Sequence, residues 1–391
     1  MLNISSHKKL IRITTVPLAL HSLLPGQMKF MQENGFEVIL ISADGPELKN
    51  VIENEQCRHI IVPMTRQITP LQDLKCLLQL IKFFRKEKPD IVHSHTPKAG
   101  LLGMVAAKIC GVKIRIHTVA GLPLMVEKGI KFHLLKFIER FTYCAASKVW
   151  PNSNSLFRYI QENKLTSGKK LKIIGKGSSN GINIKRYNPS AINENIFEEI
   201  KQTIRYSPQN KYLLCVGRLV KDKGIIELVE VFTAVQKKYP FLKLVLAGSY
   251  EDKLDPLPSA IMEQITANPG IIHISWTDKV EYYMHVADYF VFPSHREGFP
   301  NVLLQAGTMQ LPIICSHIAG NVDIVEHNVT GLLFETANKD EMLQLISYAI
   351  NNPLIMKTMA EKLADNIRQN YSQENFWNIV LAQYHSLLNN A

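Results

Sequence analysis

The sequence predicts an α/β protein made of two doubly wound units in tandem. Three observations lead there. Apolar, β-branched runs alternate with longer segments of helical period, the alternation stops in a polar stretch after residue 184, and it then starts again. Strands in a parallel sheet read as unbroken apolar runs because helices cover both faces. A length of 391 residues suits two domains of ordinary size.

In chain order, strands are expected at 10–15, 37–42, 91–95 and 113–118, with helices between them at 27–34 and 71–86. Residues 185–208 are polar, hold Asn188-Pro189 and Ser207-Pro208, and read as the linker region. The second series has a strand at 212–216, a helix at 225–238 and strands at 242–247, 271–275, 289–293 and 312–315. Helices at 341–351, 353–370 and 375–388 end the chain; the last carries Phe376, Ile379, Val380 and Tyr384 at helical spacing. The expected domains are 1–190, 191–370 and a terminal helix at 371–391. Ligands bind such folds at the carboxyl ends of the strands, which puts a cleft between the two sheets.

Composition narrows the classes. The chain is 46% apolar, yet no stretch reaches the roughly 18 apolar residues of a spanning helix. Residues 1–12 are polar and basic and lack the apolar centre of a secretion signal, so a cytosolic protein is expected. The cysteines Cys57, Cys76, Cys110, Cys144, Cys215 and Cys315 form no C-x-x-C pair and read as reduced thiols in or beside apolar runs.

Charge is unevenly spread. Residues 1–190 hold 29 Lys and Arg against 12 Asp and Glu, a net +17, whereas the remainder is net −6. Such asymmetry points to an acidic surface as partner. Ile130, Leu134, Phe137, Ile138 and Phe141 form an apolar stripe accompanied by Lys128, Lys131, Lys136 and Arg140. That combination suits the plane of an anionic membrane, and equally a core-packed helix with a solvated basic face. The basic half carries no recognised nucleic-acid motif, so no nucleic-acid partner is expected.

Four segments carry candidate chemistry. Arg296-Glu297-Gly298-Phe299-Pro300-Asn301-Val302-Leu303-Leu304-Gln305 follows a strand and opens a helix near Pro300. The free N–H groups of a first helical turn form an anion site, Gly298 lets a ligand approach the backbone, and Glu297 suits sugar hydroxyls. An ordinary capped turn would read the same. Gly217-Arg218 and Lys223-Gly224 follow another strand, and a forked guanidinium with an ammonium suits a pyrophosphate. Pro25-Gly26 after the first strand allows close approach of a phosphate or sugar but is not G-x-G-x-x-G. His93, His95 and Lys98 lie where a first-half strand exits. The two histidines lack a completing ligand set, so contact with substrate is favoured over a metal. Gly177-Ser178-Ser179-Asn180-Gly181 reads as turn chemistry. There is no G-x-S-x-G elbow, Walker loop or H-E-x-x-H.

Taken together, the chain resembles family-4 glycosyltransferases of the GT-B fold, of the bacterial capsule, O-antigen and protein-glycan assembly type. The resemblance rests on Pro25-Gly26, 95–100, 177–182, Gly217-Arg218-Leu219 with Lys223-Gly224, Pro293-Ser294 with Glu297-Gly298-Phe299-Pro300, then Gly320, Gly331-Leu332-Leu333 and the last helix. It covers nearly the whole chain.

The resemblance implies two Rossmann-like domains facing a central cleft, with the C-terminal helix packed on the first. It implies a retaining hexosyl or N-acetylhexosaminyl transfer from a nucleotide-diphosphate sugar to a lipid-linked saccharide, without a required metal or cofactor, peripheral on the inner face of the cell membrane. Arg218, Lys223 and Glu297 would be catalytic. Gly26, Gly217, Gly298, Phe299, Pro300, Asn301, Val302, Leu303 and Gln305 would bind the donor, and His95, Lys98 and His117 would face the acceptor.

Two positions depart from the family pattern. Gln305 stands where relatives have a second glutamate, and Ala120 where they often have a histidine. Two alternatives share the fold: a sugar-nucleotide epimerase, and a non-catalytic nucleotide-sugar-binding subunit, for which those departures are the support. The set of Arg218, Lys223 and Glu297 favours transfer, and turnover assays over a panel of nucleotide sugars discriminate all three.

Overall fold

The computed structural model describes residues 7–125, 127–251 and 255–390. They form two compact units, Met1–Gly181 with Gln373–Ala391, and Ile182–Ser372.

The first unit is built on strands β1 (Lys8–Ile13), β2 (Phe36–Ser42), β3 (Arg58–Ile61), β4 (Ile91–His95), β5 (Ile114–Val119) and β6 (Lys148–Pro151). Its helices are α1 (Pro17–Leu23), α2 (Gln27–Glu33), α3 (Leu48–Glu55), α4 (Pro70–Glu87), α5 (Pro97–Ile109), α6 (Gly129–Ala145) and α7 (Asn154–Glu162). The sheet is parallel with order β3-β2-β1-β4-β5-β6. Successive side chains leave opposite faces of a strand. Ile11, Ile13, Ile39 and Ile41 accordingly join one core with α4 and α5, while Leu10, Val38 and Leu40 join another with α2 and Phe376, Val380 and Tyr384 of the last helix. Both faces are buried, which is why the strands read as continuous apolar runs.

The second unit repeats the plan. Strands β7 (Lys211–Val216), β8 (Leu242–Ala247), β9 (Ile271–Ile274), β10 (Tyr289–Phe292), β11 (Ile313–Ser316) and β12 (Leu332–Phe334) form a parallel sheet in the order β12-β11-β10-β7-β8-β9. Its helices are α8 (Glu194–Thr203), α9 (Ile225–Lys238), α10 (Ser259–Ala267), α11 (Val280–Val286), α12 (Asn301–Thr308), α13 (Lys339–Asn351) and α14 (Pro353–Asn370). Helix α15 (Gln373–Asn389) returns to the first unit.

The boundaries differ from the sequence reading in two places. The first unit ends at Gly181, not at 190, and the second runs on to Ser372. The polar stretch read as a linker contains α8, capped by the Asn193 side chain on the Ile196 amide, with Ile200 and Ile204 buried in the second core. Its Asn-Pro and Ser-Pro dipeptides flank this helix rather than mark a connection. Strands β3, β6 and β12 were not anticipated; they are three or four residues long and lie at sheet edges, too short for a periodic signal.

Candidate active site

In the second sheet the chain order reverses between β7 and β10, which are hydrogen-bonded neighbours. Loops leaving the carboxyl ends of such a pair form the ligand crevice of a doubly wound fold. Gly217 and Arg218 leave β7, and Pro293 to Glu297 leave β10. The topology therefore brings together two segments that lie more than seventy residues apart in sequence.

Lys223 and Glu297 form an ion pair across that junction. The Ser294 hydroxyl donates to the same carboxylate at 2.8 Å, so Glu297 is held from two sides. The ammonium of Lys223 also lies 5.6 Å from the centre of the Phe292 ring, a cation–π contact that fixes its direction. Arg218, half exposed, pairs with Glu251. The Arg296 Nε–H is shared between both oxygens of Asp222 at 2.9 and 2.7 Å and ties the two loops together. Behind them His295 contacts Glu227 at 3.2 Å, which raises the imidazole above its ordinary value and lowers the carboxyl.

Gly224 is the hinge of this arrangement. Its φ is +67°, and a Cβ there would stand 2.1 Å from the carbonyl oxygen of Pro293. Only glycine lets the loop after β7 pass so close to the end of β10.

Helix α12 begins at Asn301 with Pro300 as its extended N-cap. Its first amides have no acceptor within the helix. The Leu303 amide is an exception, donating to Pro300 at 3.0 Å, and the Leu303 side chain is fully buried. Phe299 is also core, 5.7 Å from the Tyr371 ring. Of the residues the sequence assigned to the donor, Leu303 and Phe299 therefore shape the loop through packing. Gly217, Gly298, Asn301 and Val302 remain at the loop and helix start, and the Gln305 amide donates to the Tyr187 hydroxyl at 2.8 Å.

The corresponding edge of the first sheet lies between β1 and β4. There the Thr96 hydroxyl meets the Thr15 hydroxyl at 2.7 Å. Thr96 has φ 70° and ψ 146°, a backbone state almost confined to glycine, and such strain concentrates at functional sites. His95 is fully buried and stacks on His93 at 4.5 Å; neither of its ring nitrogens has a hydrogen-bond partner among the described residues. It lines a water-sized cavity with Arg12, Gln27, Thr118 and Ser179. Burial, reinforced by the Arg12 charge, holds the imidazoles of His93 and His95 well below their ordinary range.

Three sequence assignments change here. Gly26 was read as a donor contact, but its amide donates to the Glu55 carboxylate at 2.5 Å, as do those of Met28 and Lys29 at 3.0 and 3.1 Å. A buried glutamate thus fills the anion site at the start of α2, and Gly26 is small because Trp377 sits where a Cβ would be, 2.8 Å away. His117 was read as facing the acceptor, yet it is buried beneath Gly100 of α5, bonded to Ser94 at 2.9 Å and lowered to about 4 by burial. Lys98 directs its ammonium inward to Asp73 at 2.7 Å and to the hydroxyls of Thr65 and Thr69, pinning the segment before α4.

Comparison with known proteins decides the family. Residues 196–370 match glycosyl transferases group 1, and residues 19–153 match the glycosyl transferase 4-like family. The chain is 33% identical to the capsular polysaccharide biosynthesis glycosyltransferase CapM of Staphylococcus aureus over 385 residues, which cover 98% of each protein. The chain is a family-4 glycosyltransferase of the GT-B fold. This glycosyltransferase is also 25% identical, over 94% of its length and 98% of the relative's, to the UDP-Gal:alpha-D-GlcNAc-diphosphoundecaprenol alpha-1,3-galactosyltransferase of Escherichia coli. In fold it resembles the Anabaena protein HepE, solved with UDP-glucose, at a TM-score of 0.79 and 17% identity, covering 97% and 100% of the two chains.

In the glycosyltransferase, two cations and one carboxylate sit at the second unit's switch point on the two loops that leave β7 and β10. Sequence reasoning named them but missed Glu251 and Ser294, which partner Arg218 and Glu297, and Asp222, which partners the neighbouring Arg296. A serine or aspartate in a loop has no signal of its own; only the fold brings it opposite a charge.

Proposed function

We propose that this glycosyltransferase moves a sugar from a nucleoside-diphosphate sugar to a lipid-linked saccharide, with retention at the anomeric carbon, during assembly of a bacterial surface glycan. The observation that carries this reading is the convergence of Arg218, Lys223 and Glu297 on the switch point of the second sheet. As the bond between the anomeric carbon and the diphosphate oxygen breaks, negative charge grows on the leaving oxygen. Arg218 and Lys223 are the groups to stabilise it, by the logic of preorganised charge at a developing anion. Glu297, fixed by Ser294, is suited to accept from donor-sugar hydroxyls. The acceptor hydroxyl bonds to the anomeric carbon and gives its proton to the departing phosphate, so no separate base is required. With two cations at the diphosphate, no metal is needed for the step.

The relatives support the substrate classes. The Escherichia coli relative is named for a UDP-linked donor and a diphosphoundecaprenol acceptor, and the Staphylococcus aureus relative for capsule synthesis. Both are named as transferases, which favours transfer over epimerisation or mere binding.

Membrane docking of the first unit is part of the proposal. On α6, Ile130 (89% exposed), Leu134, Phe137 and Phe141 face outward, while Ile138 is half-buried. A core-packed helix would hide that stripe. Helix α4 adds Leu71 (81% exposed), Leu74 and Leu78, and α5 lies between the two helices. Lys128 and Lys131 supply charge beside the apolar row, each worth about 1 kcal/mol at an anionic leaflet and screened by salt. No helix among the described residues is long and apolar enough to cross a membrane.

Two measurements test this. Sedimentation with anionic vesicles should show binding that weakens steeply with salt and with charge reversal of Lys131, Lys136 and Arg140; equal partitioning onto neutral vesicles, or none, contradicts docking. A panel of nucleotide sugars with polyprenyl-diphosphate saccharides should yield one extended product. Donor hydrolysis or epimerisation alone contradicts transfer.

A further inference from the structure

At the opposite edge of the first sheet, where β5 and β6 begin, a cavity of about 420 Å³ opens. Its walls carry Lys113, Lys148, Lys169, Lys170 and Lys172, with Trp150 and residues of the last turns of α15. No carboxylate side chain lines it among the described residues. One strand length, roughly 20 Å for the six residues of β5, separates it from the edge that holds His95 and Thr96.

The lysines do different things. Lys170 donates to the carbonyls of Tyr143, Cys144 and Ala146 at 2.9, 3.3 and 2.7 Å. It thereby neutralises the negative end of α6, which would otherwise repel an anion. Lys172 donates to Gln383 at 2.5 Å, which holds its ammonium at the cavity wall with donors to spare. The side chains of Lys148 and Lys169 are in no ion pair or hydrogen bond among the described residues. Collecting like charges around one concavity costs energy through mutual repulsion. A random distribution of surface lysines would place carboxylates among them, as elsewhere in this chain, where Lys9 meets Glu37 and Glu87.

We propose that this cavity binds a phosphoryl-bearing anion of two or more charges, with Lys148, Lys169 and Lys172 as its direct contacts and Lys170 holding the wall. Its volume falls in the range of small-ligand sites. The site is separate from the donor loops of the second unit, and it does not depend on how those loops act. A soluble phosphate compound and a phosphomonoester lipid headgroup share the required chemistry.

The test uses the full chain. Calorimetric titration with inorganic pyrophosphate is run on the parent protein, on K148Q/K169Q, on R218A/K223A, and on K49Q/K237Q as an equal charge loss elsewhere. The same proteins are sedimented with neutral vesicles and with vesicles containing phosphatidic acid. Circular dichroism confirms folding of each variant. The expected result is two classes of pyrophosphate site, one removed by R218A/K223A and a second that loses at least tenfold in affinity in K148Q/K169Q and not in K49Q/K237Q, from two charge-assisted contacts. If that loss is seen with pyrophosphate, the ligand is a soluble anion. If it is confined to phosphatidic-acid vesicles, the ligand is a headgroup. Unchanged binding by K148Q/K169Q to both probes, or an equal loss in K49Q/K237Q, overturns the site. Loss in R218A/K223A alone assigns the pyrophosphate to the donor loops and overturns it as well.

Discussion

Replacing His95 with Gln should flatten the acid sensitivity of the first unit by a calculable amount. His95 is fully buried, and burial with the Arg12 charge keeps its imidazole neutral well below the usual value. In the unfolded chain it titrates near 6.5. Below that pH the unfolded chain binds a proton that the folded chain refuses, so stability falls as pH drops from 6.5 toward the folded value. Between pH 7 and pH 5 the linkage removes about 2 kcal/mol per such imidazole. His93 and His117 share this direction. Glu139, pushed up to about 7 by burial, opposes it: the folded carboxyl keeps a proton the unfolded one has lost, so acidification over the same range favours folding by about 2 kcal/mol. Glu55, also raised by burial, acts in the same sense as Glu139. The net slope is thus a contest, but comparing H95Q with the parent isolates one imidazole. Amide hydrogen exchange in β4 and β5 at pH 7 and pH 5 gives both stabilities. The variant should lose about 2 kcal/mol less than the parent on acidification. Parallel losses would refute the reasoning, because His95 would then take up its proton in the folded state.

Further outcomes follow from the donor loops. Q305E should keep or improve affinity for the nucleoside diphosphate in a calorimetric titration, since a carboxylate can accept from the Tyr187 hydroxyl, reversing the bond the Gln305 amide now donates, and adds charge toward a ribose; a large loss would remove Gln305 from the site. G224A should lower both melting temperature and turnover, the latter by tenfold or more. The left-handed backbone costs about 1–2 kcal/mol with a side chain, and the added carbon drives Lys223 away from Pro293. Wild-type turnover by G224A would contradict the close approach. Activity should persist in excess chelator; full loss reversed by a divalent ion would contradict metal-independent transfer.

Much of this structure is legible in the sequence, and the gaps have physical causes. The central strands were readable because burial on both faces leaves an uninterrupted apolar run, as in 38–41 and 289–292. The loops carrying Arg218, Lys223 and Glu297 were readable because they follow such strands directly. Gly26 misled because a glycine at a strand-to-helix turn looks the same whether a phosphate or Glu55 fills the helix start, and only the packing of α3 on α2 brings Glu55 there. His117 misled because alternation places it on a face without saying that α5 closes over that face. The stripe on α6 was visible from its spacing, whereas Leu71, Leu74 and Leu78 of α4 were not singled out. Their exposure depends on which face of α4 meets the sheet, and Cys76, Leu80 and Phe84 take that face.

The most direct test of the account is turnover by R218A and K223A with the natural donor and a polyprenyl-diphosphate saccharide, following nucleoside diphosphate release and extended product together. Each variant loses one charge-assisted contact to the diphosphate, so each should fall roughly tenfold to a hundredfold in kcat/KM while its circular dichroism and melting temperature match the parent. Parent-level turnover by both variants would contradict the assignment of the second unit's switch point as the place where the sugar is released.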